Sequence, residues 1–150
     1  MDEGKLALFV EVTQRYFEKM GEYNVETDTP YLTRDINANL YEYTGMIHIS
    51  GNHTGVVFFS TMALTAIRLL HDMDVPSSDP EKLLDLVGEI SNTIAGNTRV
   101  KFGKDFLLKP PVLIHGEYHH VEPSVVVDTY VVPLSWAKYK SNLIVQLNTA

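Results

Sequence analysis

Cysteine is absent from this 150-residue chain, which removes disulfides, thiolate nucleophiles and cysteine-ligated metal centres together. Positive charge is scarce. Twelve Lys and Arg stand against 19 Asp and Glu, a net charge of -7, and that balance repels phosphate backbones and anionic lipid, so nucleic-acid and membrane-surface roles are disfavoured. Long hydrophobic runs are missing as well: the least polar stretch, Gly55 to Ile67, is 13 residues long and contains Ser60, Thr61 and Thr65, well short of the ~20 needed to cross a bilayer. No membrane insertion is expected. Met1-Asp2-Glu3-Gly4-Lys5 is acidic where a secretory signal is basic, so the cytoplasm is the expected location.

What is present is the composition of a globular domain, 45% hydrophobic and 21% charged. At this length a single domain over residues 1–150 can bury a core without staples. Leu6, Phe9, Val10, Thr13, Tyr16, Phe17 and Met20 recur at three- and four-residue steps, the stripe of an amphipathic helix ending near Gly21 and lying on a sheet. From Tyr31 to Thr61 the pattern turns to alternation. Leu40 to Ser50 and Gly55 to Thr61 flank Gly51-Asn52-His53-Thr54-Gly55, which predicts a hairpin with a glycine-bounded reversal. Met62 to Met73 reads as a helix, and a longer one follows Val75-Pro76-Ser77-Ser78-Asp79-Pro80. Ser78 and Glu81 have capping-box spacing and Pro80 suits the first turn, so that helix is predicted to run to about Lys101. Beyond it come β-rich runs at Val112 to Tyr118, Val125 to Trp136 and Leu143 to Leu147, with Pro123 and Pro133 marking edges or bulges. The order predicts an α+β domain, a mostly antiparallel sheet with long helices packed on it.

The long helix carries an unusual outer face. On a wheel advancing about 100° per residue, Leu83, Val87, Ile90 and Ile94 form the core stripe, while Asp85, Glu89, Asn92 and Gly96 fall opposite it at steps of four, three and four. Gly88 and Gly96 lie on or beside that row, each at a helix-propensity cost of about 1 kcal/mol relative to Ala, and are expected to keep the surface low for a partner. An amide does not titrate near neutrality, so Asn92 can orient a water or a reacting group but cannot be its base. Asp85 and Glu89, one turn apart, face the same way and do not flank a bond as glycosidase carboxylates do. A solvated polar face is the bland alternative.

Asp85-Leu-Val-Gly-Glu89-Ile-Ser-Asn92-Thr-Ile-Ala-Gly96-Asn97 resembles the signature helix of the CheC/CheX/FliY chemotaxis phosphatases, an Asp or Ser, three residues, Glu, two residues, Asn. Tyr43-Thr-Gly-Met-Ile-His-Ile-Ser-Gly51-Asn-His-Thr-Gly55-Val-Val-Phe-Phe is similar to the hairpin of the CheX branch, and Pro111-Val-Leu-Ile-His-Gly116 to the strand after its helix. The similarity spans about Tyr31 to Val121. One Glu-x-x-Asn rather than two also matches the CheX-type branch and its homodimer. Pro110 and Pro111 come sooner after Asn92 than the family's proline usually does, and the stretch after Gly116 matches no family pattern. The resemblance implies a CheC-like α+β fold and dephosphorylation of the aspartyl phosphate on a CheY-like response-regulator receiver domain. It further implies that Asn92 orients the attacking water, that Glu89 pairs with the receiver's active-site lysine, and that Asp85, Gly88 and Gly96 dock the substrate. No cofactor of the protein's own is implied, with Mg2+ expected on the receiver. The rival reading is a module that binds receiver domains in two-component signalling without accelerating hydrolysis.

Two further signals are weaker. His115, Glu117 and His119 share a face if their run is a strand, with His120 opposite; a polar strand face is favoured over metal binding there. His48 and His53 read as a strand residue and a turn residue. Val125, Val126, Val127, Tyr130, Val131 and Val132 suggest an edge strand able to pair with its twin in a homodimer.

Overall fold

The structure, a computed structural model, describes residues 1, 3–21, 23–116 and 128–149. The α+β expectation holds. The helices are α1 (Glu3–Gly21), α2 (Ala63–Asp72) and α3 (Pro80–Phe102). The strands are β1 (Glu26–Thr27), β2 (Tyr31–Thr33), β3 (Tyr43–Gly51), β4 (His53–Thr61), β5 (Phe106–Leu108), β6 (Val112–His115), β7 (Thr129–Trp136) and β8 (Tyr139–Thr149). They form one sheet in the order β1-β7-β8-β4-β3-β5, with β2 also on β7 and β6 also on β3, and each of these pairs is antiparallel.

Strand alternation sends Tyr43, Ile47 and Ile49 of β3, Val57 and Phe59 of β4, and Leu143, Val145 and Leu147 of β8 toward the helices, where Leu83, Val87, Ile90 and Ile94 of α3 meet them. A smaller cluster on the reverse face joins Val56, Phe58, Val131 and Ile144 to Ile36. Helix α3 sits close over β3 because residue 45 is glycine: a Cβ there would stand 2.5 Å from the Val87 carbonyl oxygen. Helix α1 lies beside α3 rather than flat on the sheet, with Phe9 against Phe102 at 5.9 Å and Phe17 reaching Phe59 at 5.6 Å. No helix among the described residues is long and apolar enough to cross a membrane.

Several local expectations are corrected. The N-cap of α3 is Asp79, not Ser78: Pro80 takes the first helical position and the Asp79 carboxylate accepts the Glu81 N–H at 3.1 Å. The β3–β4 reversal is tighter than five residues, with Gly51 at φ 93° making the turn. His53 therefore belongs to β4 rather than to the turn, and it is buried. Strand β7 is not an edge open to a twin, since β8 covers one side and β1 and β2 the other. Pro133 fits because its carbonyl accepts the Asp28 N–H at 3.0 Å in the gap between β1 and β2, where no strand asks for its missing N–H. Glu117, Tyr118, His119, His120, Val121, Pro123, Val125, Val126 and Val127 lie outside the described residues.

Candidate functional site

Helix α3 buries Leu83, Leu86, Val87, Ile90, Ile94 and Ala95. Two hydroxyls on that side close on their own helix, Ser91 to the Val87 carbonyl at 2.6 Å and Thr98 to the Ile94 carbonyl at 2.8 Å, so the packed face holds no unsatisfied hydroxyl at those points. The opposite face is free to carry chemistry. Asp85, Glu89 and Asn92 are exposed and Gly96 is half-exposed, which brings four of the five expected residues onto one side of one rigid element.

Gly88 is the exception. It is buried, and a Cβ would stand 2.5 Å from Leu113 Cδ2 of β6. This glycine lets α3 settle against β6; it does not lower the outer surface for a partner. Gly96 does leave open ground, with nothing within 4 Å of where its Cβ would be.

From α1, Tyr16 lies next to the row. Burial, and after it the negative charge of Glu89, pushes its phenol up to about 12, so it stands protonated beside that carboxylate at neutral pH. Past Gly96 the row continues at the same spacing to Arg99 and Gly103. A shallow groove opens there, lined by Asn92, Gly96, Arg99, Val100, Lys104 and Leu108 among others. Neither Tyr16 nor this groove is singled out by the sequence reading, although the four- and three-residue steps point past Gly96 to Arg99.

Two of the histidines, His115 and His53, serve packing. His115 stacks on Tyr43 at 4.5 Å, and His53 sits edge-on to Phe102 and Phe106. Among the described residues no group of three or more His, Cys, Asp or Glu is placed to hold a metal ion. The exposed row offers a carboxylate that accepts from a cation and, one turn on, an amide that both donates and accepts, a pair suited to gripping a charged partner and holding a water beside it.

The sequence profile of the family described as chemotaxis phosphatase CheX matches residues 43–135. Among solved structures, a CheC-like superfamily protein from Shewanella sp. PV-4 superposes with a TM-score of 0.85 at 19% identity over 99% of both chains. Chemotaxis protein CheX from Vibrio vulnificus gives 0.81 at 20% identity, over 97% of this chain and 99% of that one. The CheX of a CheX–CheY–BeF3–Mg2+ complex from Borrelia burgdorferi gives 0.77 at 18% identity, over 95% and 97%. At these identities the likeness is one of fold. No curated protein matches the chain.

Proposed function

This chain belongs to the family of CheX chemotaxis phosphatases, and from that premise we propose that it removes the phosphoryl group from the aspartate of a CheY-like receiver domain. The observation that supports this most is the shared exposure of Glu89 and Asn92 one turn apart on α3. An acyl phosphate is already activated, so the catalyst needs chiefly to place a water in line with the bond that breaks. In this reading the Asn92 amide holds that water by hydrogen bonds, while the water's proton passes to the phosphoryl oxygens rather than to the amide, which cannot take it. Glu89 pairs with the receiver's active-site lysine, a charge-assisted contact strengthened as the two surfaces exclude water. The receiver brings its own Mg2+. Asp85 and Gly96 complete the contact surface, and the CheX–CheY complex from Borrelia burgdorferi provides a precedent within this fold for such a partner.

The decay of phosphate from phosphorylated CheY-like receivers, with and without the protein, tests the proposal. Asn92→Ala is expected to abolish the acceleration while shifting stability by under about 0.5 kcal/mol, since the side chain is exposed. Glu89→Ala is expected to weaken binding and rate together. Binding without acceleration by the wild type would make the protein a receiver-binding module instead. Homodimerisation belongs to the same proposal, through a surface other than a β7 pairing, and light scattering checks it.

A further inference from the structure

The groove beyond Gly96 differs in charge from the rest of the molecule. Residues 99–109 hold four of the chain's 12 Lys and Arg, namely Arg99, Lys101, Lys104 and Lys109, against the single carboxylate of Asp105, in a chain whose net charge is -7. Arg99 and Lys104 line the groove itself. Arg99 donates to the Lys104 carbonyl at 3.3 Å, which ties the guanidinium to a second residue lining the groove. The ion pairs among the described residues join Arg15 to Glu11 and Arg68 to Asp72, so neither groove cation is engaged in one. Beside them Val100 is 79% exposed, and Leu107 of β5 is 47% exposed.

We propose that this basic groove is a second docking contact for the receiver domain, seating an acidic surface that flanks the receiver's phosphoacceptor pocket. The inference rests on the function proposed above. Its first support is continuity: Asn92 and Gly96 belong to the groove as well as to the row. A stable interface covers about 800 Å² on each partner, a patch with a radius of about 16 Å, whereas Arg99 is seven residues and therefore about 10 Å along the helix from Asn92. A globular domain whose phosphoryl group meets Asn92 covers Arg99 unless it leans wholly toward the other end of α3. The second support is complementarity, because a pocket that holds a divalent cation beside an aspartate is rimmed by oxygen donors, carboxylates foremost. Along α3 and just past its end the charge then runs from the acids Asp85 and Glu89, across Asn92, to Arg99 and Lys104. That gradient fixes the direction in which the receiver lies, its lysine toward Glu89 and its acidic rim toward Arg99.

The test uses a CheY-like receiver phosphorylated with acetyl phosphate, and reads both dephosphorylation kinetics and receiver binding across ionic strength. The double variant Arg99→Gln, Lys104→Gln is expected to raise KM about fivefold or more, to change kcat far less, and to flatten the fall of kcat/KM with salt. Lys104→Gln alone, outside the helix, carries the test if the double variant folds poorly. Lys138→Gln removes one charge at the β7–β8 turn, the opposite end of the sheet from the groove, and should leave both readouts as they are. A double variant indistinguishable from wild type in KM and salt response, or matched by Lys138→Gln, overturns the groove while leaving the active reading intact. A wild-type protein that neither binds nor dephosphorylates the receiver overturns both.

Discussion

His53 is 8% exposed, and its Nδ1–H donates to Asn52 Oδ1 at 2.9 Å while Nε2 is buried with no partner. Phe102 and Phe106 close over the ring at centroid distances of 5.0 and 5.6 Å. Burial, with a smaller contribution from the charge of Lys5, holds the imidazole below its ordinary value. Below pH ~6.5 the unfolded chain takes up a proton at this residue that the folded chain refuses, so stability falls with pH there; above ~6.5 both states are neutral and His53 adds no pH dependence. The urea midpoint of the wild type is therefore expected to drop between about pH 7 and pH 5.5. His53→Phe should flatten that drop; an equally steep fall in the variant would assign it to other groups. Because Phe102 ends α3, this one imidazole supports the floor under the basic end of the helix.

At the scale of the element, one glycine under α3 and one on its outer face predict opposite outcomes. Gly45→Ala drives a methyl into the Val87 carbonyl; backbone cannot step aside as a side chain tip can, so a loss of roughly 1–3 kcal/mol is expected in urea unfolding, with α3 pushed off β3. Gly96→Ala meets open space and should stabilise by up to about 1 kcal/mol through helix propensity, while raising KM for the receiver if the low surface is what the partner occupies. The sequence shows which residues lie on α3's outer face, because a 3.6-residue period encodes facing directly, and Asp85, Glu89, Asn92 and Gly96 are where that period puts them. It cannot show which neighbour fills the space beside a residue near the boundary. Gly88 is buried because Leu113 arrives from β6, and β7 is covered because two short strands, β1 and β2, come back to it from more than 90 residues away. Each has little local periodicity to announce it. The N-cap shift from Ser78 to Asp79 is a smaller matter of the same kind, two adjacent capping residues before one proline, decided by where the first turn closes.

The whole molecule is joined by β8, which pairs with β4 along nine residue positions and with β7 along eight. A chain ending after Trp136 would leave β4 and β7 facing each other across an empty strand position and expose Leu143, Ile144, Val145 and Leu147's packing partners. Such a truncation is expected to lose cooperative thermal unfolding and sharp side-chain signals in NMR, even though it keeps α3 and every residue of the exposed row. The order of strands in space has a consequence in time. β8 follows every other strand in the chain, so during synthesis α3 emerges from the ribosome with only part of the sheet to rest on, and β4 remains an unpaired edge until residues 139–149 have cleared the exit tunnel. The helix proposed to meet the partner is made well before the strand that lets it hold still.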